Sequence, residues 1–300
     1  MLRRATRSVE MRQSVFLVPT AAEVARRRSL FAQYGVEATT VPVVSSAAQR
    51  QDLDANRADV GITSTDNLFA WNAAGSDLAV IAQIETTTDL VLMLRPGLSS
   101  VAGATRVRLA VDAPANGFAI VAYSMLARLG LPAARYEVVE VGGVRERFSA
   151  LSEGSVDASL LSPPLDELGL EHGMTVALRI QDLTRSYPGF GVVADRSVVS
   201  SRLDEVAAYL RALDAANRWL SEGPRAEVET ELRDIGLGPA AVAAVFASIP
   251  ATLEPSSQGL MLLERMRRDV GLALPDAPRA TELVDLRPLR AAGLLADRVP

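Results

Sequence analysis

The sequence predicts an α/β protein made of two similar lobes followed by a helical tail. Three observations carry this. Residues 55–67 and 152–164 share one pattern: a helix end, an aspartate (Asp59, Asp157), a short apolar strand, then a polar loop opening on a serine (Ser64, Ser162). Landmarks keep a near-constant offset, 95 residues from Gly35 to Gly130 and 98 from Asp59 to Asp157. A duplicated β-α-β-α-β unit accounts for both, and such units build parallel sheets with helices on both faces. From Ser201 onward, the patterns are helical only.

Element by element, residues 14–18 form an apolar run and read as a strand. A helix is expected over 21–34, with Val24, Leu30, Phe31 and Tyr34 on one face and Gly35 as its C′ stop. Residues 36–44, rich in Val and Thr, read as a strand. Ser45 or Ser46 caps a helix running through Asn56, and 59–63 is a short buried strand. The order recurs with strand 107–111, loop 112–117, helix 118–129 stopped by Gly130, strand 136–141, helix 144–152 and strand 156–161. Segments 78–82, 90–94 and 188–194 supply the strands that cross between lobes. Helices are expected over 202–220, 225–235, 239–249 and 258–270, packing back on the first lobe, with little order signal after Ala291.

Composition narrows the functions. The formal charge of −5 argues against nucleic acid, which needs a basic field. All 31 basic residues are Arg, and there is no Cys. Thiolate nucleophiles, disulfides and cysteine metal sites are thereby excluded. The single His172 sits in what reads as an exposed turn, and no GxSxG, P-loop, GxGxxG or HExxH occurs. No cofactor is expected. No apolar run reaches the ~18–20 residues of a membrane span, so direct membrane insertion is not expected. The basic start lacks the apolar stretch of about 7–15 residues that an export signal needs. Two locations fit: periplasmic or extracellular if a signal has been lost, otherwise cytoplasmic.

Several segments in series carry a resemblance: 58–64 (ADVGITS), 89–95 (DLVLMLR), 108–112 (RLAVD), 141–143 (VGG), 147–158 (RFSALSEGSVDA) and Pro163. In this order and spacing the chain resembles the type II periplasmic-binding-protein superfamily. The likeness is to its nitrate/sulfonate/taurine-type solute-binding proteins and their pyrimidine-precursor-synthase-like relatives. The resemblance implies a two-lobed periplasmic-binding-protein-like type II fold with a two-strand hinge and a C-terminal helical tail. Residues 1–96 plus 189–300 would form lobe one and 97–188 lobe two. It implies a monomer that captures a small molecule (a sulfonate, a pyrimidine-like compound or an aromatic or organic acid) and hands it to an ABC permease.

Ligands of parallel sheets sit beyond the carboxyl ends of strands, where helix N-termini favour anions. The candidate ligand-binding residues on those loops are Thr20, Ser46, Ser64, Thr65, Asp66, Asn116, Gly117, Phe118 and Ser162, with Thr87 and Tyr187 on the hinge side. A Ser or Thr before a helix also serves as an N-cap, and Asp66-Asn67 reads as the cap of the helix carrying Phe69 and Trp71. Asp59 and Asp157 are expected to serve the fold. Arg145 or Arg147 can reach an anion, although Arg147, four residues before Leu151, is expected to cover the helix surface. Two rival readings are an enzyme on this scaffold, with Asp66 or Glu85 as general base, and a ligand-sensing domain of a regulator.

Overall fold

Apolar runs punctuated by turn residues assemble into two five-stranded sheets in the computed structural model, which describes residues 8–115, 117–185 and 187–295. The first lobe begins with β1 (Val9–Val15), α1 (Thr20–Arg27), α2 (Leu30–Gln33), β2 (Val36–Pro42), α3 (Ser46–Asp54), β3 (Val60–Thr63), α4 (Asn67–Ala73) and β4 (Leu78–Gln83). The second comprises β5 (Val91–Leu94), β6 (Val107–Val111), α5 (Phe118–Arg128), β7 (Tyr136–Glu140), α6 (Val144–Ser152), β8 (Ala158–Leu161), α7 (Leu165–Glu171), β9 (Thr175–Arg179) and α8 (Ile180–Leu183). The chain returns through β10 (Gly191–Asp195). It ends in α9 (Arg196–Ser201), α10 (Leu203–Glu222), α11 (Arg225–Asp234), α12 (Pro239–Ser248), α13 (Ser257–Asp269) and α14 (Arg287–Ala291).

The sheets have orders β2-β1-β3-β10-β4 and β7-β6-β8-β5-β9. The two orders are equivalent. In each sheet four strands run in one direction, and the fourth in the order runs antiparallel between its two neighbours. That fourth strand is β10 in the first lobe and β5 in the second, so each arrives from the other lobe. The chain therefore crosses twice, between β4 and β5 and between α8 and β10. The lobe boundary expected at residue 96 is corrected: β5 bonds to β8 and β9, so the change of lobe precedes Val91.

The duplication shows in atomic detail. Asp59 accepts from the Arg12 backbone N–H at 2.8 Å and from its Nε and Nη2 at 3.1 and 2.8 Å. Asp157 takes the same three donors from Arg108 at 2.9, 3.0 and 2.9 Å. Each guanidinium also reaches the carbonyl of a left-handed residue three positions before the aspartate, Asn56 or Gly154, at 2.9 Å. A second arginine completes each clamp, Arg202 on Asp59 and Arg95 on Asp157. Arg108, against the opposing effect of burial, holds Asp157 far below the usual carboxylate range. The clamps pin the start of β3 to β1 and of β8 to β6. They thereby fix where the strands end, at Ser64 and Ser162.

Other differences from expectation have local causes. β1 starts at Val9 because its polar residues are satisfied: Arg12 is clamped, and buried Gln13 accepts from the Tyr209 hydroxyl at 2.7 Å. The helix expected over 21–34 breaks at Ser29, whose φ is 55°. β9 carries no alternation, since all five of its residues are half-buried. The tail does not pack wholly on the first lobe. α10 and α14 cover the first sheet, but α13 lies against α5, and its Leu260, Leu263 and Met266 join a core containing Tyr123 and Leu126.

Candidate functional site

The parallel strands β1, β3, β6 and β8 end at a cavity of about 650 Å³ between the lobes. The first lobe contributes Phe16, Thr20, Ile62, Ser64 and Asn67, and the crossings contribute Glu85, Thr87 and Phe190. The second lobe contributes Ala110, Asp112, Gly117, Phe118, Arg147, Leu160 and Ser162. The tail supplies a further wall, from Ile235 and Leu237 to Ala241, Val245 and Ser248. The first residues of α1, α5 and α6 line it, so three sets of unpaired helix N–H groups surround the space.

Of the residues singled out from the sequence, Thr20, Ser64, Thr87, Gly117, Phe118 and Ser162 lie in this wall. Asn116 lies outside the described residues. Four are placed behind the wall. Ser46 is buried, and its N–H donates to the Asp112 carboxylate at 3.0 and 3.2 Å. Thr65 turns inward, its methyl against Gly191. Tyr187 is buried with its hydroxyl 3.4 Å from Ser64 Oγ, so it backs a wall residue. Asp66 does not cap α4. It is fully buried and accepts from Arg267 Nη1 at 2.7 Å. Burial lifts its carboxyl to about 6, against the pull of Arg267 and of the Gly117 N–H. His172 packs edge-on to Phe148 and does not line the cavity.

The lobes also touch along the rim. Gly143 N–H donates to Val44 O at 3.1 Å, and Ala241 N–H, in the first turn of α12, donates to Glu167 Oε1 at 2.6 Å. Together with Ser46–Asp112 these bonds join the first lobe or the tail to the second lobe. Gly117, at φ +58°, permits another close approach. A Cβ there would lie 2.8 Å from Asn67 Oδ1.

Arg147 is the cavity-wall residue that sequence reasoning misplaced. It is 5% exposed. The spacing to Leu151 was read as a surface position, yet residues four apart share a helix face, and Ala150 and Leu151 are buried on it. Its Nη1 donates to Gly142 O at 2.8 Å and its Nη2 faces Leu160 O at 3.4 Å. No carboxylate lies within 4 Å of its guanidinium among the described residues. Burial pulls its pKa down to about 10, against the attraction of Asp112 and Glu146, so it remains a cation at neutral pH.

Glu85 is the complementary group. Its carboxyl is buried, although the residue keeps some exposed surface. Burial raises it to about 7, opposed chiefly by the Phe190 N–H. A carboxyl raised from 4.5 to about 7 makes the folded state bind more protons than the unfolded chain. Its contribution to stability is thus full below 4.5 and lost as pH rises through 7. Glu85→Gln, which stays neutral, is expected to raise the melting temperature above wild type at pH values beyond this window and to change it little below. Thermal melts across pH check this, and a constant difference would refute it.

A sequence profile of the NMT1/THI5-like family matches residues 20–227. The chain belongs to the NMT1/THI5-like family. No curated protein matches the sequence significantly. Solved structures resemble this NMT1/THI5-like chain at low identity. A ligand-binding component of an ABC-type import system from Staphylococcus aureus superposes with a TM-score of 0.76 at 13% identity, covering 95% of this chain and 99% of that one. The alkanesulfonate-binding protein SsuA from Xanthomonas axonopodis pv. citri gives 0.72 at 19%, covering 91% and 97%. The nitrate-binding protein NrtA from Synechocystis PCC 6803 gives 0.76 at 13%, covering 98% and 91%. These likenesses establish the two-lobed periplasmic-binding-protein fold that the ordered segments implied.

Proposed function

We propose that this NMT1/THI5-like protein is the solute-binding component of an ABC-type importer and captures a small organic acid between its lobes. The observation that carries this is Arg147, a buried guanidinium with no carboxylate within 4 Å among the described residues, facing a cavity ringed by helix N-termini. A cation costly to bury is retained where a ligand supplies the counter-charge. The structural relatives named for sulfonate and nitrate bind anions, which accords with it. The two crossings, between β4 and β5 and between α8 and β10, act as the hinge. Ser64 and Thr20 on one lobe, with Ser162 and Arg147 on the other, give a ligand contacts to both, so binding favours the closed state. A permease would read the closed form. No helix among the described residues is long and apolar enough to cross a membrane.

Titration with sulfonates, carboxylates and phosphonates, followed by small-angle scattering, tests this. A bound acid is expected to make the protein more compact, or to hold it compact against opening. Binding with no effect on the scattering profile would sink the hinge mechanism. One observation favours a catalytic reading, a carboxyl poised near neutrality in the same cavity. Turnover of a bound acid, lost in Glu85→Gln with binding retained, would establish it.

A further inference from the structure

We infer that Glu167 is a positioning residue for capture: from the second lobe it caps α12, the tail helix that walls the cavity, and so latches the lobes together. This rests on the two crossings acting as the hinge.

One face of α12 is turned to the cavity. Ala241, Ala244, Val245 and Ser248 line the space, at the i, i+3, i+4, i+7 spacing of a single helix face. The helix belongs mechanically to the first lobe. Val242, Val245 and Phe246 pack into the core that holds Met11 and Ile62. At its C-terminal end Ser248 O accepts from the Thr86 N–H at 2.7 Å, on the crossing between β4 and β5. At its N-terminal end the Ala241 N–H donates to Glu167 Oε1. Glu167 stands in the first turn of α7, which packs on β5, β9 and α6, all of the second lobe. This bond therefore joins the lobes across the hinge.

The sequence around the contact is shaped for it. A helix start needs acceptors for its unpaired N–H groups, and an N-cap side chain ordinarily supplies one. Gly238, the N-cap of α12, has no side chain, and Pro239 follows it without an N–H. The acceptor comes instead from 74 residues earlier, as a carboxylate, the charge that the helix dipole favours there. Gly238 also makes room. Its φ of −71° suits any residue, but a Cβ there would overlap Glu167 Oε2. The approach of the carboxylate, and not the backbone, is what asks for glycine. Glu167 is not itself part of the cavity wall, so its effect on the cavity passes through α12.

Three variants of the full chain test the inference. Glu167→Ala removes the cap, Gly238→Ala pushes the carboxylate aside while leaving it in the protein, and Glu167→Gln keeps an acceptor oxygen. Without added acid, the first two are expected to lower the closed-to-open ratio about tenfold, the scale of one charge-assisted hydrogen bond. Small-angle scattering reads this as a larger radius of gyration than wild type, and Glu167→Gln is expected to restore most of the compactness. A lowered urea midpoint with an unchanged scattering profile would make the contact merely structural and overturn the latch. So would unchanged profiles in Glu167→Ala and Gly238→Ala beside a wild type that responds to the sulfonates, carboxylates or phosphonates tested above, and the hinge would then stand. A wild type whose profile no bound acid alters would overturn the hinge and the latch together. Where Glu167→Ala folds poorly, Gly238→Ala decides the matter.

Discussion

Arg267→Met is expected to lower the unfolding free energy by about 3–5 kcal/mol, the cost of breaking a buried ion pair from one side. The Arg267 side chain is 3% exposed and that of Asp66 is wholly buried. Losing the guanidinium strands a carboxyl whose Oδ1 already lacks a protein partner. It also frees Ala115 O, which Arg267 Nη2 holds at 2.6 Å. Asp66 belongs to the first lobe, Ala115 to the second and Arg267 to α13, so one side chain ties three parts of the molecule. Protonation limits the loss. Asp66 already titrates near 6 with its partner present, and without it the carboxyl rises further and turns neutral. The double variant Asp66→Asn with Arg267→Met is therefore expected to recover part of the stability, because no uncompensated charge remains. Urea unfolding of the two singles and the double measures this. A double variant as unstable as the sum of the singles would show that the pair is not the coupled unit described.

What could be read beforehand divides along a physical line. Relationships local in sequence were legible. Gly35 and Gly130 stop their helices at φ of 74° and 75°, and the Asp-strand-Ser units fall at equivalent places in the two sheets. Asp59 and Asp157 were read as scaffold, and the arginine clamps give that role its mechanism. Pairings distant in sequence were not legible. Asp66 meets Arg267, 201 residues later, and nothing local to either announces it. Ser46 was read as a helix cap or a ligand-binding residue, yet its backbone N–H donates to Asp112 of the other lobe. The tail wall was missed for the same reason, since the uniform apolarity of 239–249 does not say which cavity it covers. Arg147 differs from these. Its burial was available from the helical spacing, because positions 147, 150 and 151 share a face, but charge was allowed to outweigh periodicity.

Arg147→Met is expected to weaken binding of an organic acid by about a hundredfold or more, the loss of a desolvated, charge-assisted contact, and to leave stability nearly unchanged. The same substitution at Arg267 gives the opposite result for stability, and the difference lies in the partners. Arg267 neutralises a buried carboxylate; Arg147 has no carboxylate within 4 Å among the described residues. Burial already depresses the pKa of Arg147 to about 10, a sign that the protein alone penalises its charge. Removing it relieves that penalty while losing its bonds to Gly142 O and Leu160 O, and the two effects oppose each other. Arg147→Lys keeps the charge but not the planar fork, so it is expected to restore only part of the affinity. Calorimetry for affinity and urea unfolding for stability read the two quantities separately. A variant that lost stability by several kcal/mol would make Arg147 a structural residue. A stable variant that still bound acids at wild-type strength would remove the guanidinium from the site. A cation that the fold does not need and a ligand does is what separates a binding residue from a scaffold one.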